Sequence, residues 1–250
     1  MGNFDSIYYK NNFLTNVIFR LDFAPILKIS TESLAEFQEI IRPEFPEFET
    51  NDLITVKAEI KSNKDSFERD ISKLFIFKDP KGSKKIEISN KHLAVVFNKY
   101  SNFEDFQKNL EVAFDKLNSE FAPLIRRIGL RFINNIKINK GSPFDWKDYI
   151  TESLLANLNG EIIEEEKLSR IITQLIYKED EFNMNFNYGI FNVEYPAKIS
   201  RKEFLLDYDC YTEDPNPNDI KRLASVFHGE IQSLFEKSIK EKLREVMNER

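Results

Sequence analysis

The sequence predicts an α+β protein built from two tandem units, each running strand, helix, three or four antiparallel strands and long helix. Three observations carry that prediction. Phe103, Phe106, Leu110, Phe114, Leu117 and Phe121 recur at steps of three and four, the apolar stripe of an amphipathic helix. Residues 128–138 alternate apolar and polar, as a half-buried strand does. The order of elements that leads up to the long helix is then repeated after it. Each unit alone has a sheet face and a long helix to bury; two units sharing one antiparallel sheet, with the helices on one face, bury everything together.

The first strand is residues 17–23, alternating from Phe19 onward. Ser30-Thr31-Glu32 opens a helix whose apolar positions are Leu34, Phe37, Ile40 and Ile41. Pro43 and Pro46 stop it, because proline lacks the N–H donor and forces extended geometry upstream. Strands follow at 53–60, 74–78, 85–89 and 93–100, with Asp79-Pro80-Lys81-Gly82 as a tight turn. Pro123 ends the 103–121 helix. In the second unit a long strand (128–138) is closed by Gly141-Ser142-Pro143. A helix over 145–158 is expected, with Trp146, Tyr149, Ile150, Leu154 and Leu158 on one side, and then an exposed loop over 160–167. Strands at 171–177, 182–191 and 204–211 come next, and acidic Glu179-Asp180-Glu181 turns the first hairpin. Past Pro215 and Pro217, Asn218 or Asp219 caps one long helix toward Met247, striped by Ile220, Leu223, Phe227, Ile231, Leu234, Ile239, Leu243 and Met247. The units are 1–123 and 124–250, forming one pseudo-symmetric body similar in outline to the TATA-binding-protein saddle or the helix-grip fold.

Composition narrows the function classes. Hydrophobic residues make up 41% of the 250, and Phe alone occurs 23 times, so disorder as the main state is excluded. Seven glycines are too few to favour phosphate-cradling or dinucleotide-binding loops. One cysteine and two histidines exclude an intrachain disulfide and a Cys/His zinc site, and no cofactor is expected. The net charge of −6 disfavours a protein coated in nucleic acid while allowing a local basic patch. Apolar runs are far shorter than the roughly 20 residues of a membrane helix, and Met1 to Lys10 lacks the apolar run of a signal peptide. A cytoplasmic location is expected, with Cys210 in a reducing compartment.

The basic cluster Arg126, Arg127, Arg131, Lys137 and Lys140 is the leading candidate site. On a strand, Arg127, Gly129, Arg131 and Ile133 share one face, and Gly129 leaves space between the two guanidinium groups. Arginine forks bind phosphate or carboxylate, so this face would hold an anion or nucleic acid, or else pair with acidic residues of the other unit or a helix. Exposed tyrosines for base stacking would come from Tyr8, Tyr9, Tyr188 or Tyr195. Asp207 and Asp209 share a strand face opposite Leu206, Tyr208 and Cys210, so their side is the solvent side; they could also hold a divalent ion. His92 precedes a strand, and His228, with Glu230 nearby, lies on the last helix. Cys210 is flanked by Asp209, which raises its thiol pKa and argues against a nucleophile. The Phe-rich stripes bound either plain core or a ligand groove between sheet and helix. Val226 and Val246 at the stripe edge offer a homodimer contact through the C-terminal helix.

Four segments in order, Tyr9-Lys-Asn-Asn-Phe-Leu-Thr-Asn-Val-Ile-Phe19, Arg42-Pro-Glu-Phe-Pro46, Arg127-Ile-Gly-Leu-Arg-Phe-Ile-Asn134 and Phe227-His-Gly-Glu-Ile231 with Phe235-Glu236, resemble a sporadically distributed prokaryotic family of about this length with no assigned activity. The resemblance spans nearly the whole chain, and the central Arg-Ile-Gly-Leu-Arg motif is its most specific part. It brings no catalytic residues. Its patchy distribution implies mobile and defence-linked genes, including anti-phage and toxin–antitoxin modules. The expectation is therefore a non-enzymatic binding or regulatory module acting with a protein partner. Nucleic-acid or nucleotide binding by the basic sheet face is the alternative, and a metal-dependent hydrolase or nuclease built on Asp207, Asp209, Glu230 or His228 ranks last.

Overall fold

The computed structural model describes residues 7–61, 64–158 and 163–248, the side chains of 55–71 excepted. The chain enters through β1 (Leu14–Phe23) and crosses by α1 (Ala35–Ile41) to a long hairpin, β2 (Glu47–Lys61) and β3 (Lys64–Lys78). It returns through β4 (Lys84–Ile88) and β5 (His92–Phe97), and α2 (Phe103–Phe121) then leads to β6 (Ile125–Lys137). After an irregular excursion come β7 (Ile171–Lys178), β8 (Asn183–Ile190), β9 (Glu203–Glu213), α3 (Ile220–Ser238) and α4 (Glu241–Asn248). The nine strands make one antiparallel sheet in the order β2-β3-β4-β5-β1-β6-β9-β8-β7, with β1 and β6 paired near its middle.

Alternation of side chains decides which face is buried. Val17, Phe19, Leu21 and Phe23 of β1 point to one side with Ile128, Leu130, Phe132 and Ile136 of β6, and all are buried. Among the described residues, all four α-helices lie on that side. Phe106 of α2 meets Phe97 of β5 at 4.9 Å, Phe37 of α1 meets Phe77 of β3 at 5.7 Å, and His228 of α3 meets Phe132 at 5.9 Å. Met247 of α4 approaches Leu14 and Phe132 across a small cavity. Each buried Phe or Leu side chain stabilises the fold by about 1.5–3 kcal/mol relative to exposure, and this layer holds most of them. Local signals agree: the Asn102 side chain accepts the Asp105 N–H at 2.8 Å to start α2, and Ala122 takes a left-handed conformation (φ 41°) to end it before Pro123. The turn at Asp79–Gly82 forms as expected, with Gly82 at φ 63° and the Asp79 carboxylate accepting from Ser83 Oγ and the Lys84 N–H.

Two expectations fail together. Residues 145–158 are not an α-helix; after one turn at Trp146–Ile150 the chain extends at Thr151 and continues in two short 3₁₀ turns, Glu152–Leu154 and Ala156–Leu158. The last helix is not continuous either, since Ile239 is extended (φ −110°, ψ 154°) and separates α3 from α4. The reason is one interaction: Ile150 and Ile239 form an antiparallel bridge, Lys240 N–H donates to Tyr149 O at 2.8 Å, and Thr151 N–H donates to Ser238 O at 3.0 Å. Helical periodicity in both segments is met by burial of Trp146, Ile150, Ile239 and Leu243 without a continuous helix. Similarly, β2 and β3 each run 15 residues, so the strand ending at Lys78 begins ten residues before the apolar run that predicts it. Cross-strand pairing from Glu47↔Lys78 to Lys61↔Lys64 carries that polar stretch. The expected loop at 160–167 lies partly outside the described residues; its end, Glu165–Lys167, is a 3₁₀ turn. Asp219 makes no side-chain cap to α3, and Asn216 instead caps the 3₁₀ turn before it. Among the described residues, no helix is long and apolar enough to cross a membrane.

Candidate functional site

The sheet face turned away from the helices is where the sequence-predicted charged residues gather. On β6, Arg127, Gly129, Arg131, Ile133, Asn135 and Lys137 alternate with the buried set, and β9 opposes them with Glu213, Tyr211, Asp209, Asp207, Leu205 and Glu203. Each cation is met by an acid. Arg131 makes a two-pronged bond to Asp207, Nε to Oδ1 at 2.8 Å and a terminal nitrogen to Oδ2 at 2.7 Å. Arg127 reaches Asp209 at 3.2 Å, Arg126 reaches Asp214 at 3.3 Å, and Lys137 reaches Glu203 at 3.4 Å.

Gly129 does not leave an empty gap. The Arg127 guanidinium leans over it to lie 4.4 Å from the centre of the Tyr211 ring, and a β-carbon at Gly129 would stand 3.2 Å from that guanidinium and 3.3 Å from Tyr211 Cβ. The expected space is the seat of the arginine itself.

Asp207 and Asp209 do lie on the helix-free side, yet Asp207 is only 4% exposed. Arg131 covers it, and Phe191, Asn192 and Val193 from the segment after β8 fold over this end of the sheet. They line an open pocket of about 240 Å³ with Thr15, Arg131, Ile133, Asn135, Leu205 and Asp207. Burial pushes the Asp209 carboxyl above its ordinary range, against the opposing pull of Arg127 and Arg131. The bond to Asp207 holds the Arg131 guanidinium still higher, so it is charged at every ordinary pH.

Other ion pairs tile the same face: Arg20–Asp22 at 2.7 Å on β1, Lys85–Glu87 at 2.6 Å on β4, and Lys78–Glu49 at 2.6 Å between β3 and β2. Sequence reading missed Arg20, Asp22, Lys85, Glu87, Glu203 and Tyr211. Their one signal was period-two alternation opposite buried neighbours, which assigns a face but no partner.

The remaining candidates, His92 apart, are placed elsewhere. His228 and Glu230 lie on α3, across the sheet from Asp207 and Asp209, so these four do not meet. The His228 ring stacks on Phe103 at 3.9 Å and 4° between planes, and Glu230 accepts from the Tyr177 hydroxyl at 3.0 Å. His92 opens β5 opposite Asp22 at one end of the helix-free face, buried with Nδ1 2.8 Å from Ser89 Oγ, and burial holds its pKa below 6.5. Cys210 faces the helices, and burial with Glu230 nearby pushes its thiol well up. Among the described residues, no group of three His, Cys, Asp or Glu is placed to hold a metal ion. Tyr8 and Tyr9 bond to Glu104 and Glu236 on the helix side, and Tyr188 is buried, so these three do not extend the arginine face. Between helices and sheet, a cavity of about 60 Å³ lies beside Tyr9, Tyr100, Phe103, Phe132 and Asn134. Val226 and Leu234, at the flanks of the α3 stripe, pack against the core.

No protein-family model and no curated protein sequence matches the chain.

Proposed function

We propose that this protein is a non-enzymatic binding module whose helix-free sheet face receives a protein partner. The observation that carries the reading is the charge compensation on that face. Arg20, Lys78, Lys85, Arg127, Arg131 and Lys137 are each paired with one of Asp22, Glu49, Glu87, Asp209, Asp207 and Glu203, and the face also carries Glu47, Glu213 and Lys178. A polyanion needs uncompensated cations that release counterions on contact. A mosaic of both signs around the part-exposed Ile18, Ile133 and Tyr211 suits a protein surface, where charge complementarity sets register and specificity. Nucleic-acid binding by Arg126, Arg127, Arg131 and Lys137 is the weaker reading, because a phosphate would first have to displace four carboxylates.

The architecture is read as two tandem units, 1–123 and 124–250, in a TATA-binding-protein-like saddle. What supports this is the routing: from β1 the chain runs to the far edge at β2 and meanders back to β5, and from β6 it runs to the other edge at β7 and meanders back to β9. The family resemblance adds a setting, a prokaryotic defence-type system in which the module acts beside its partner.

The test is capture from host lysate with tagged full-length protein, reading absorbance at 260 and 280 nm and identifying bound proteins by mass spectrometry. A stoichiometric protein is expected, lost in the charge reversal Arg20→Glu with Lys85→Glu. Excess 260 nm absorbance removed by nuclease, with no protein partner, overturns the reading in favour of nucleic acid.

A further inference from the structure

The two edges of the sheet are built differently. Edge strands expose unpaired backbone donors and acceptors, and proteins blunt them with charge, bulges or cover. Edge strand β2 carries Glu47, Glu49 and Asp52 in its first half. Edge strand β7 has one charge, Lys178 at its end, and is paired only with β8. Its apolar side chains are open on both faces: Ile172 is 45% exposed and Ile176 66% on the helix-free side, and Leu175 is 46% exposed on the other. Such an edge is suited to accepting another strand.

We infer that β7 pairs antiparallel with β7 of a second copy of this chain, about a two-fold axis through Leu175. Charge complementarity favours a second copy in this register over the neighbouring one through Gln174. Residues facing each other across an antiparallel pair must share a sheet face, so the axis passes through one residue and its counterpart. An axis through Gln174 sets Arg170 opposite Lys178 of the second copy, a like-charge contact. An axis through Leu175 brings Arg170, just before the strand, near Asp180 of the second copy, in the turn just after it, and the reverse, so each end of the pairing is complementary.

In that register Leu175 meets its own counterpart, and Ile176 lies diagonal to both Ile172 and Ile176 of the second copy. Arg170 is anchored at this end of the strand, on its β8 side, so its terminal nitrogens must turn toward the open edge to make the contact. Its guanidinium stacks 4.5 Å from the Phe191 ring and 4.2 Å from the Tyr195 ring, and Nε donates to Phe191 O at 2.7 Å, leaving the terminal nitrogens for a carboxylate. The exposed apolar residues thus mark β7, where the sequence alone points to the C-terminal helix.

The contact leaves the helix-free face of the inner strands open, so the dimer and the partner capture succeed or fail separately. Light scattering on the full chain at tens of micromolar should give twice the 29.5 kDa monomer mass. Leu175→Lys should return the monomer mass with unchanged circular dichroism. Cys210 is fully buried, so added thiols can be read cleanly. Leu175→Cys should cross-link under mild oxidation, while Ile172→Cys and Lys178→Cys should cross-link only when mixed. A wild-type monomer, a dimer that survives Leu175→Lys, or Leu175→Cys that stays uncross-linked overturns the inference; loss of the dimer on Val246→Lys alone assigns it to the C-terminal helix instead.

Discussion

Arg131 and Asp207 are locked by two parallel hydrogen bonds, with the carboxylate nearly sealed and the guanidinium side chain 44% exposed. Removing the arginine leaves a buried carboxylate without its main partner, and the cost is that group's desolvation rather than the modest net value of the pair. Arg131→Ala should therefore destabilise by about 2–3 kcal/mol, the half-exposed position letting water replace part of the loss. Urea denaturation measures it. Arg131→Ala with Asp207→Ala should cost less than the two single changes summed, and strict additivity would dissolve the link.

Gly129→Ala puts a methyl group 3.2 Å from the Arg127 guanidinium and 3.3 Å from Tyr211 Cβ. The guanidinium is the movable part, so the expected cost is only about 1 kcal/mol. The sharper readout is the Asp209 carboxyl. Burial raises it and Arg127 restrains the rise, so losing Arg127 should move its titration further up in an NMR pH series. A lower value would mean Arg127 is not its restraint.

Gly189 has φ +132°, and a β-carbon there would stand 2.3 Å from Ile171 O on β7. No rotamer relieves a backbone clash, and the conformation is strained for any L side chain. Gly189→Ala should destabilise by at least ~2 kcal/mol, with the amides of β7 losing hydrogen-exchange protection first. Protection unchanged along Ile171–Lys178 would count against the β7–β8 pairing.

His92 is buried beside Ser89, and burial, then Arg20, holds its pKa below 6.5. The unfolded chain binds the proton first, so the stability His92 contributes is present above pH 6.5 and is lost as pH falls below it. Unfolding free energy should decline on acidification through that window. His92→Gln should flatten the decline while keeping a polar partner for Ser89. An equally steep decline in the variant would assign the pH dependence to other groups.

Local pattern alone determined the α+β class, the strand at β1, the whole of α2 with its end before Pro123, the turn at Asp79–Gly82 and the alternating faces of β6 and β9. Each rests on periodicity, proline or turn chemistry within about 20 residues, and such signals survive without knowledge of neighbours. The 145–158 segment and the last helix show the limit. Both have helical spacing, but the bridge between Ile150 and Ile239 spends backbone groups that a continuous helix would use, and nothing local announces it. The same holds for the candidate site. The sequence could place Arg127 and Arg131 on one face and Asp207 and Asp209 on another strand's outer face. Only the β6–β9 register, joining residues 76 and 82 apart, decided that these four neutralise one another. Charge pairing depends on which strands become neighbours, and that choice is made by the burial of the opposite, apolar face.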